Sequence, residues 1–163
     1  MLTVAENLVH ELARRGFHIS FAESCTGGRA AAAIVDVPDA SRVLDASFVT
    51  YANSAKAKFV KVPESLIALC GAVSEQVATA MAVGAASAAN ADVAVGISGI
   101  AGPGGGSDEK PVGMVCFGYY LDGYAVGETV RFGDIGRDAV RDAAVEHALA
   151  HILDMLKSYP EAE

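Results

Sequence analysis

Residues 92–98 read Asp-Val-Ala-Val-Gly-Ile-Ser, a run with no polar side chain between its ends. A strand apolar on both faces has no side to turn to water, so this run is predicted as a central strand covered by helices above and below. The remaining elements are read against that requirement. Val4, Leu8, Val9 and Leu12 share one face of a helix over 3–15, with Arg14 and Arg15 suiting its C-terminal dipole before Gly16. A strand over 17–22 leads into a helix over 27–36, which Val37-Pro38-Asp39 ends. An extended run over 43–51 follows, and then a short helix capped by Asn53 or Ser54 and another after Val62-Pro63 that stops near Gly71. Ser74 is predicted to cap an alanine-rich helix over 75–89 whose Val77, Met81 and Val83 need burial. Two β-rich runs, 113–121 and 124–132, are joined by Asp122-Gly123, a two-residue hairpin signal and the one antiparallel pairing the sequence announces. An amphipathic helix over 137–158 closes the chain, and 158–163 should fray.

The order α-β-α-β-α-α-β-β-β-α indicates an α/β protein, a three-layer α/β/α sandwich around a mixed sheet of about five strands. With 163 residues and no repeat or linker, a single domain over 1–163 is expected. A net charge of −8 argues against a broad nucleic-acid face, which needs clustered Lys and Arg, but leaves room for a small anionic ligand. Cys25, Cys70 and Cys116 are odd in number and lack CxxC spacing, so reduced thiols in a cytoplasm are expected rather than disulfides or a zinc site. The N-terminal residues carry no export signal pattern, and no apolar run reaches membrane-spanning length.

Three side-chain nucleophiles stand in a row in Ala22-Glu23-Ser24-Cys25-Thr26-Gly27-Gly28-Arg29, between a strand-like and a helix-like run. A strand feeding a Gly-Gly turn and a helix leaves backbone N–H groups where the helix dipole favours negative charge, so the corner can hold a phosphate or an oxyanion. It can equally be a βα turn capped by Ser or Thr. The segment Gly99-Ile100-Ala101-Gly102-Pro103-Gly104-Gly105-Gly106-Ser107 has neither the Gly-Lys-Ser/Thr of a P-loop nor a GxGxxG register. It is a flexible loop or a backbone that approaches a ligand at the end of the central strand. Among the lysines, Lys56 follows an apolar strand on a short helix with few competing charges, where a buried neutral amine can act as a base; the plainer reading is a solvated surface charge. Lys110 lies beside Asp108 and Glu109, which favours its charged form. His147 and His151 are spaced i, i+4 without an HExxH pattern or an apparent third ligand, and are read as helix-surface or interface residues. Lacking an evident histidine base, a serine nucleophile would need another, and lysine is the known variant.

Taken together, Ala22 to Gly28, Val49-Thr50-Tyr51-Ala52-Asn53-Ser54-Ala55-Lys56, Gly71-Ala72-Val73-Ser74-Glu75 and Gly99 to Pro103 with Glu109-Lys110-Pro111-Val112-Gly113 resemble the CinA C-terminal domain family. The resemblance is co-linear and covers essentially the whole chain. It implies a nicotinamide-nucleotide amidohydrolase that converts nicotinamide mononucleotide to nicotinate mononucleotide and ammonia in pyridine-nucleotide salvage. It implies no metal or organic cofactor, a homodimer, and a chain that starts directly at the catalytic module, which some relatives carry fused behind a further domain. The family's serine nucleophile falls on Ser24 and its lysine base on Lys56; Tyr51 and the loop with Gly99, Ile100, Ala101 and Gly102 fall around the pocket. Arg137 and Arg141 fall where a late basic stretch would serve the substrate phosphate. Cys25, Thr26, Gly27 and Gly28 complete the expected binding set, with backbone N–H groups of Thr26 to Gly28 receiving the oxyanion. Cys25 competes with Ser24 as nucleophile, since a helix N-terminus can lower a thiol pKa. The sequence departs from the family at Gly104, where Asp is common, at Met114, where Thr is frequent, and at Lys61, where Gly is frequent. A different reading is therefore a catalytically silent nucleotide-binding or protein-interaction module of the competence/damage-inducible type.

Overall fold

The structure is a computed structural model and describes residues 1–161. Its elements are α1 (Val4–Arg15), β1 (Ile19–Glu23), α2 (Arg29–Val35), a 3-10 turn (Ala40–Arg42), β2 (Phe48–Val49), α3 (Asn53–Val60), α4 (Glu64–Cys70), α5 (Glu75–Ala89), β3 (Val93–Gly99), β4 (Met114–Leu121), β5 (Tyr124–Arg131) and α6 (Arg137–Ser158). The five strands form one sheet in the order β2-β1-β3-β4-β5. β3 occupies its centre, as its unbroken apolar run requires, with residues 93–98 all buried. β2, β1 and β3 run parallel, while β4 and β5 are antiparallel to their neighbours, so the sheet is mixed. Helices α1, α2 and α6 cover one face around Leu8, Phe21, Ile97, Phe117 and Leu149. α5, flanked by α3 and α4, covers the other around Val60, Val77, Met81 and Ala94. The architecture is the expected three-layer α/β/α sandwich.

Local signals explain the sharpest element boundaries. Thr3 and Glu6 form a reciprocal capping box at the start of α1, and Gly16, at φ +67°, ends it. Ser74 caps α5 by accepting from the Val77 N–H. Asp122 and Gly123 both take positive φ, as a type I′ hairpin demands. Lys61 takes φ +56° at the end of α3, a conformation that costs a non-glycine residue about 1 kcal/mol.

Several expectations need correction. The extended run over 43–51 yields only Phe48–Val49 as strand and one bridge between Ile19 and Leu44, because side chains take over the ladder: Ser20 Oγ donates to the Ala46 carbonyl and Ser47 Oγ accepts from the Phe21 N–H. Three helices lie between β2 and β3, as the separate segments predict, one more than the summary order of elements counts. Neither Asn53 nor Ser54 caps α3, whose cap residue is Ala52. Val83 is 43% exposed, on the stripe of α5 turned away from Val77 and Met81. β3 and β4 form a second antiparallel pair. The expected fraying does not describe Tyr159 to Glu161: Tyr159 hydrogen-bonds Asp122 and packs against Phe17, and Glu161 pairs with Arg14. Residues 162 and 163 lie outside the described residues. No described helix is long and apolar enough to cross a membrane.

A trench across the sheet seats α5. Gly96, Gly118 and Gly127 stand in register on β3, β4 and β5. A Cβ built on Gly96 or Gly118 would lie 2.1 or 2.2 Å from the Ala78 carbonyl oxygen, and one on Gly127 would lie 2.8 Å from the Glu75 Cβ. Since the obstacle at Gly118 is helix backbone, Gly118→Ala is expected to destabilise the protein by about 3 kcal/mol or more, because a whole helix must move to admit one methyl. Urea unfolding of the variant beside the parent checks this, and an unchanged midpoint would refute the seating role.

Candidate active site

β1 and β3 are parallel neighbours whose C-terminal ends lie together, Glu23 opposite Ile97, and open α/β sheets place their sites at such ends. Beyond Glu23 the chain turns through Ser24 to Gly28 into α2, anchored by the Ser24 N–H to the Ile97 carbonyl at 2.9 Å. The turn is held from inside by Glu23, which is 1% exposed. Its carboxylate accepts from the N–H groups of Gly28 and Ala30, each at 3.1 Å, and of Ala31 at 3.0 Å. A buried carboxylate at a helix N-terminus meets both orphan donors and the positive end of the dipole. It takes the place that a Ser or Thr cap, or a bound anion, was expected to fill.

That capping changes which backbone donors face a substrate. The Gly27 N–H donates to the Ser24 carbonyl at 3.1 Å and the Gly28 N–H to Glu23. Of the expected oxyanion donors over Thr26 to Gly28, Gly27 and Gly28 are therefore spent inside the turn. The N–H groups of Cys25 and Thr26 have no protein acceptor among the described residues.

Lys56 lies on the first turn of α3 and is 1% exposed. Its Nζ lies 2.8 Å from the Thr50 carbonyl, 3.1 Å from the Tyr51 carbonyl and 3.0 Å from Ser24 Oγ. Burial lowers its pKa below the ordinary lysine value, since a desolvated ammonium loses its hydration; the neighbouring Cys25 opposes this shift. As an ammonium, Lys56 donates to all three oxygens. As a neutral amine it has two N–H donors for the two carbonyls and one lone pair for the Ser24 hydroxyl. Cys25, by contrast, is buried and its thiol is pushed up to about 11, first by desolvation and further by the Glu23 carboxylate. The helix end that was expected to activate it is neutralised by Glu23, and a thiol in this state is a weak nucleophile near neutral pH.

Ser24 and Lys56 open into a cavity of about 200 Å³ that Cys25, Tyr51, Gly99, Ala101 and Arg137 also line. Thr26, Gly27, Gly28, Ile100, Gly102 and Arg141, though expected in the binding set, do not line it. Tyr51 meets Lys56 through its carbonyl, while its phenol lies 3.4 Å from an Arg137 nitrogen on a side chain 63% exposed. Arg137 also donates to the Gly102 carbonyl at 2.7 Å, tying the glycine loop to α6. Arg141 donates to the carbonyls of Cys25 at 2.8 Å and Thr26 at 3.3 Å, so it clamps the serine turn instead of facing a substrate phosphate. Lys110 donates to the Cys70 carbonyl, outside the cavity. Sequence reasoning missed Asn53, Ala72, Val73 and Ser98 as lining residues. All but Ser98 sit inside motifs that were read for other reasons, and Ser98 is the last residue of the apolar run.

The departures at Gly104 and Met114 fall elsewhere. A Cβ on Gly104 would meet nothing within 4 Å, and Met114 packs with Ala78 and Cys116; neither lines the cavity.

Comparison with known proteins is consistent across sequence and structure. The family model of the CinA C-terminal domain matches residues 1–156. A putative competence-damage inducible protein of Symbiobacterium thermophilum is 50% identical over 156 residues; the match takes in 91% of this chain but 37% of that protein's length. The nicotinamide-nucleotide amidohydrolase PncC of Escherichia coli is 47% identical over 154 residues, covering 91% of this chain and 90% of its own. The crystal structure of the competence/damage inducible protein CihA from Agrobacterium tumefaciens superposes with a TM-score of 0.90 at 42% identity, over 94% of this chain and 93% of that one.

Glu23→Gln tests the capping carboxylate. The amide turns N–H groups toward N–H donors and removes the charge, so a loss of about 2–4 kcal/mol is expected in denaturant unfolding. A loss below half a kcal/mol would mean that α2 is held without it.

Proposed function

The chain belongs to the CinA C-terminal domain family, and from that premise we propose that it hydrolyses the carboxamide of nicotinamide mononucleotide to nicotinate mononucleotide and ammonia, with Ser24 as nucleophile and Lys56 as base. The observation that carries the reading is a serine hydroxyl 3.0 Å from the amine of a lysine that is 1% exposed, inside a cavity. The substrate is taken from the relative of Escherichia coli named for that reaction, which is matched over nearly its whole length.

In this mechanism the neutral Lys56 amine takes the Ser24 proton as Oγ attacks the carboxamide carbon. The Thr50 and Tyr51 carbonyls hold the amine during the transfer and stabilise the ammonium that forms. The N–H of Cys25, the one residue of the turn after Ser24 that lines the cavity, receives the developing oxyanion, such a donor contributing about 3 kcal/mol to lowering the barrier. Lys56 then returns the proton to the departing nitrogen and ammonia leaves; it next takes a proton from water as that water attacks the acyl carbon, and hands it to the departing Ser24 Oγ while the product acid ionises to the carboxylate. A cavity of about 200 Å³ takes the aromatic amide head and leaves ribose and phosphate at its rim, where Arg137 supplies a positive charge. The silent-module reading rests on the competence/damage-inducible names of some relatives and on the changes at Gly104 and Met114. As neither residue lines the cavity, the amidase reading is preferred.

Ammonia release from nicotinamide mononucleotide, beside other pyridine nucleotides and simple amides, tests the proposal. Ser24→Ala and Lys56→Arg are each expected to lose about 10³-fold or more in kcat, since arginine cannot become a neutral base. Cys25→Ala is expected to stay within about threefold of the parent, given its protonated thiol. Full turnover by Ser24→Ala would sink the serine assignment, and no turnover by the parent on any amide would favour the binding module.

Because the amine must be neutral to act, kcat/KM should rise with pH and level off above the Lys56 pKa. That midpoint is expected below the 10.5 of an ordinary lysine. A profile that falls with rising pH would contradict a lysine base.

A further inference from the structure

His147 and His151 are one turn apart on α6, and the hairpin brings Glu128 of β5 to both. Glu128 Oε2 lies 2.9 Å from His147 Nε2 and 3.3 Å from His151 Nδ1. The three ligand atoms lie within 4.8 Å of one another. We propose that Glu128, His147 and His151 form a binding site for a divalent transition-metal ion of the zinc class, at a place separate from the Ser24 cavity.

Three observations carry this. The first is geometric: a tetrahedral ion with bonds of about 2.0–2.1 Å keeps its ligand atoms about 3.3 Å apart, and the two measured separations are 2.9 and 3.3 Å. The second is saturation. Tyr119 donates its phenol to the same Oε2 at 3.0 Å, so three groups converge on one oxygen, while among the described residues no protein donor reaches Oε1. A carboxylate oxygen has about two lone-pair positions; one cation between the imidazoles and the carboxylate satisfies all three groups at once. The third is preorganisation. His151 stacks flat on Tyr119 at 4.0 Å and 9°, and His147 is wedged against Phe117 at 5.0 Å and Phe132 at 6.1 Å. Both rings are held with a nitrogen turned to Glu128 before any ion arrives.

The donor set selects the ion. Two imidazoles and a carboxylate suit Zn²⁺, Co²⁺, Ni²⁺ or Cu²⁺, whereas Mg²⁺ and Ca²⁺ prefer oxygen alone. Tyr119, hydrogen-bonded to the ligating carboxylate, is its outer-shell support. The side chains are 31–34% exposed, enough for entry and for water in a fourth position. Binding would staple β5 to α6. The histidine spacing was visible in the sequence but its third ligand was not, because Glu128 lies 19 residues from His147 and reaches it only through the fold.

The test uses tag-free protein stripped with a chelator and then freed of it, titrated with Zn²⁺ against a chromophoric competitor. One ion per chain is expected, with a thermal-melting rise of several degrees on saturation. Since loss of an outer-shell group costs 10–100-fold, His147→Gln and His151→Gln should each weaken binding by about 100-fold or more, and Tyr119→Phe by about tenfold. Cys70→Ser and His10→Gln should leave it unchanged. Metal-free melting of each variant separates ligand loss from misfolding, and if a histidine variant is unstable, the visible band of tetrahedral Co²⁺ in the parent decides. No uptake at roughly 100 μM free Zn²⁺, uptake that survives both histidine substitutions, uptake abolished by Cys70→Ser, or Co²⁺ without that band each overturns the proposal.

Discussion

How closely α5 can approach the sheet governs the rest of the molecule. The trench of Gly96, Gly118 and Gly127 lets the helix backbone rest where side chains would otherwise hold it off. The same helix is flattened on its other side at Gly84, where a Cβ would lie 1.7 Å from the Val60 carbonyl of α3. α3 thus rests on α5, and α3 carries Lys56. The loop before α5 is fixed too, since Ser98 at the end of β3 donates to the Ala72 carbonyl at 2.7 Å. Four glycines with no chemistry of their own therefore set both where the amine sits and where the cavity wall stands.

Glu23 and Lys56 are both buried at this junction, and neither neutralises the other. Glu23 is met by three backbone N–H groups and Lys56 by two backbone carbonyls. Had they paired, the carboxylate would have held the lysine charged. Instead each is solvated by peptide dipoles, so burial can lower the lysine pKa while the carboxylate caps a helix. Cys25 is buried at the same place, so desolvation raises its thiol pKa, and the neighbouring Glu23 carboxylate adds to the rise.

Much of this was legible in the residues. The apolar run of β3, the Asp122-Gly123 hairpin, the Gly16 stop and the Ser74 cap are local signals, and fold class and most boundaries follow from them. What stayed hidden was tertiary. Ser20 and Ser47 interrupt a ladder that composition alone favours, and no propensity reports that. Glu23 reads as one more polar residue in a motif until the helix folds back over it. Arg141 resembles a phosphate ligand in sequence, yet its partners are carbonyls more than a hundred residues away. Ser24 and Lys56 each stand out by position, but only the family pattern joins them, since two residues 32 apart have no common local signature.

The reach of Arg141 to Cys25 spans 116 residues, which bears on the order of events during synthesis. β1 and the serine turn leave the ribosome well before the clamp on that turn, which arrives with α6. N-terminal segments fold first as a chain emerges, so the turn must wait, with two carbonyls unclaimed, until α6 docks. A chain cut short before that helix holds the turn of Ser24 without its tether. The geometry of the turn is thereby timed to the arrival of α6.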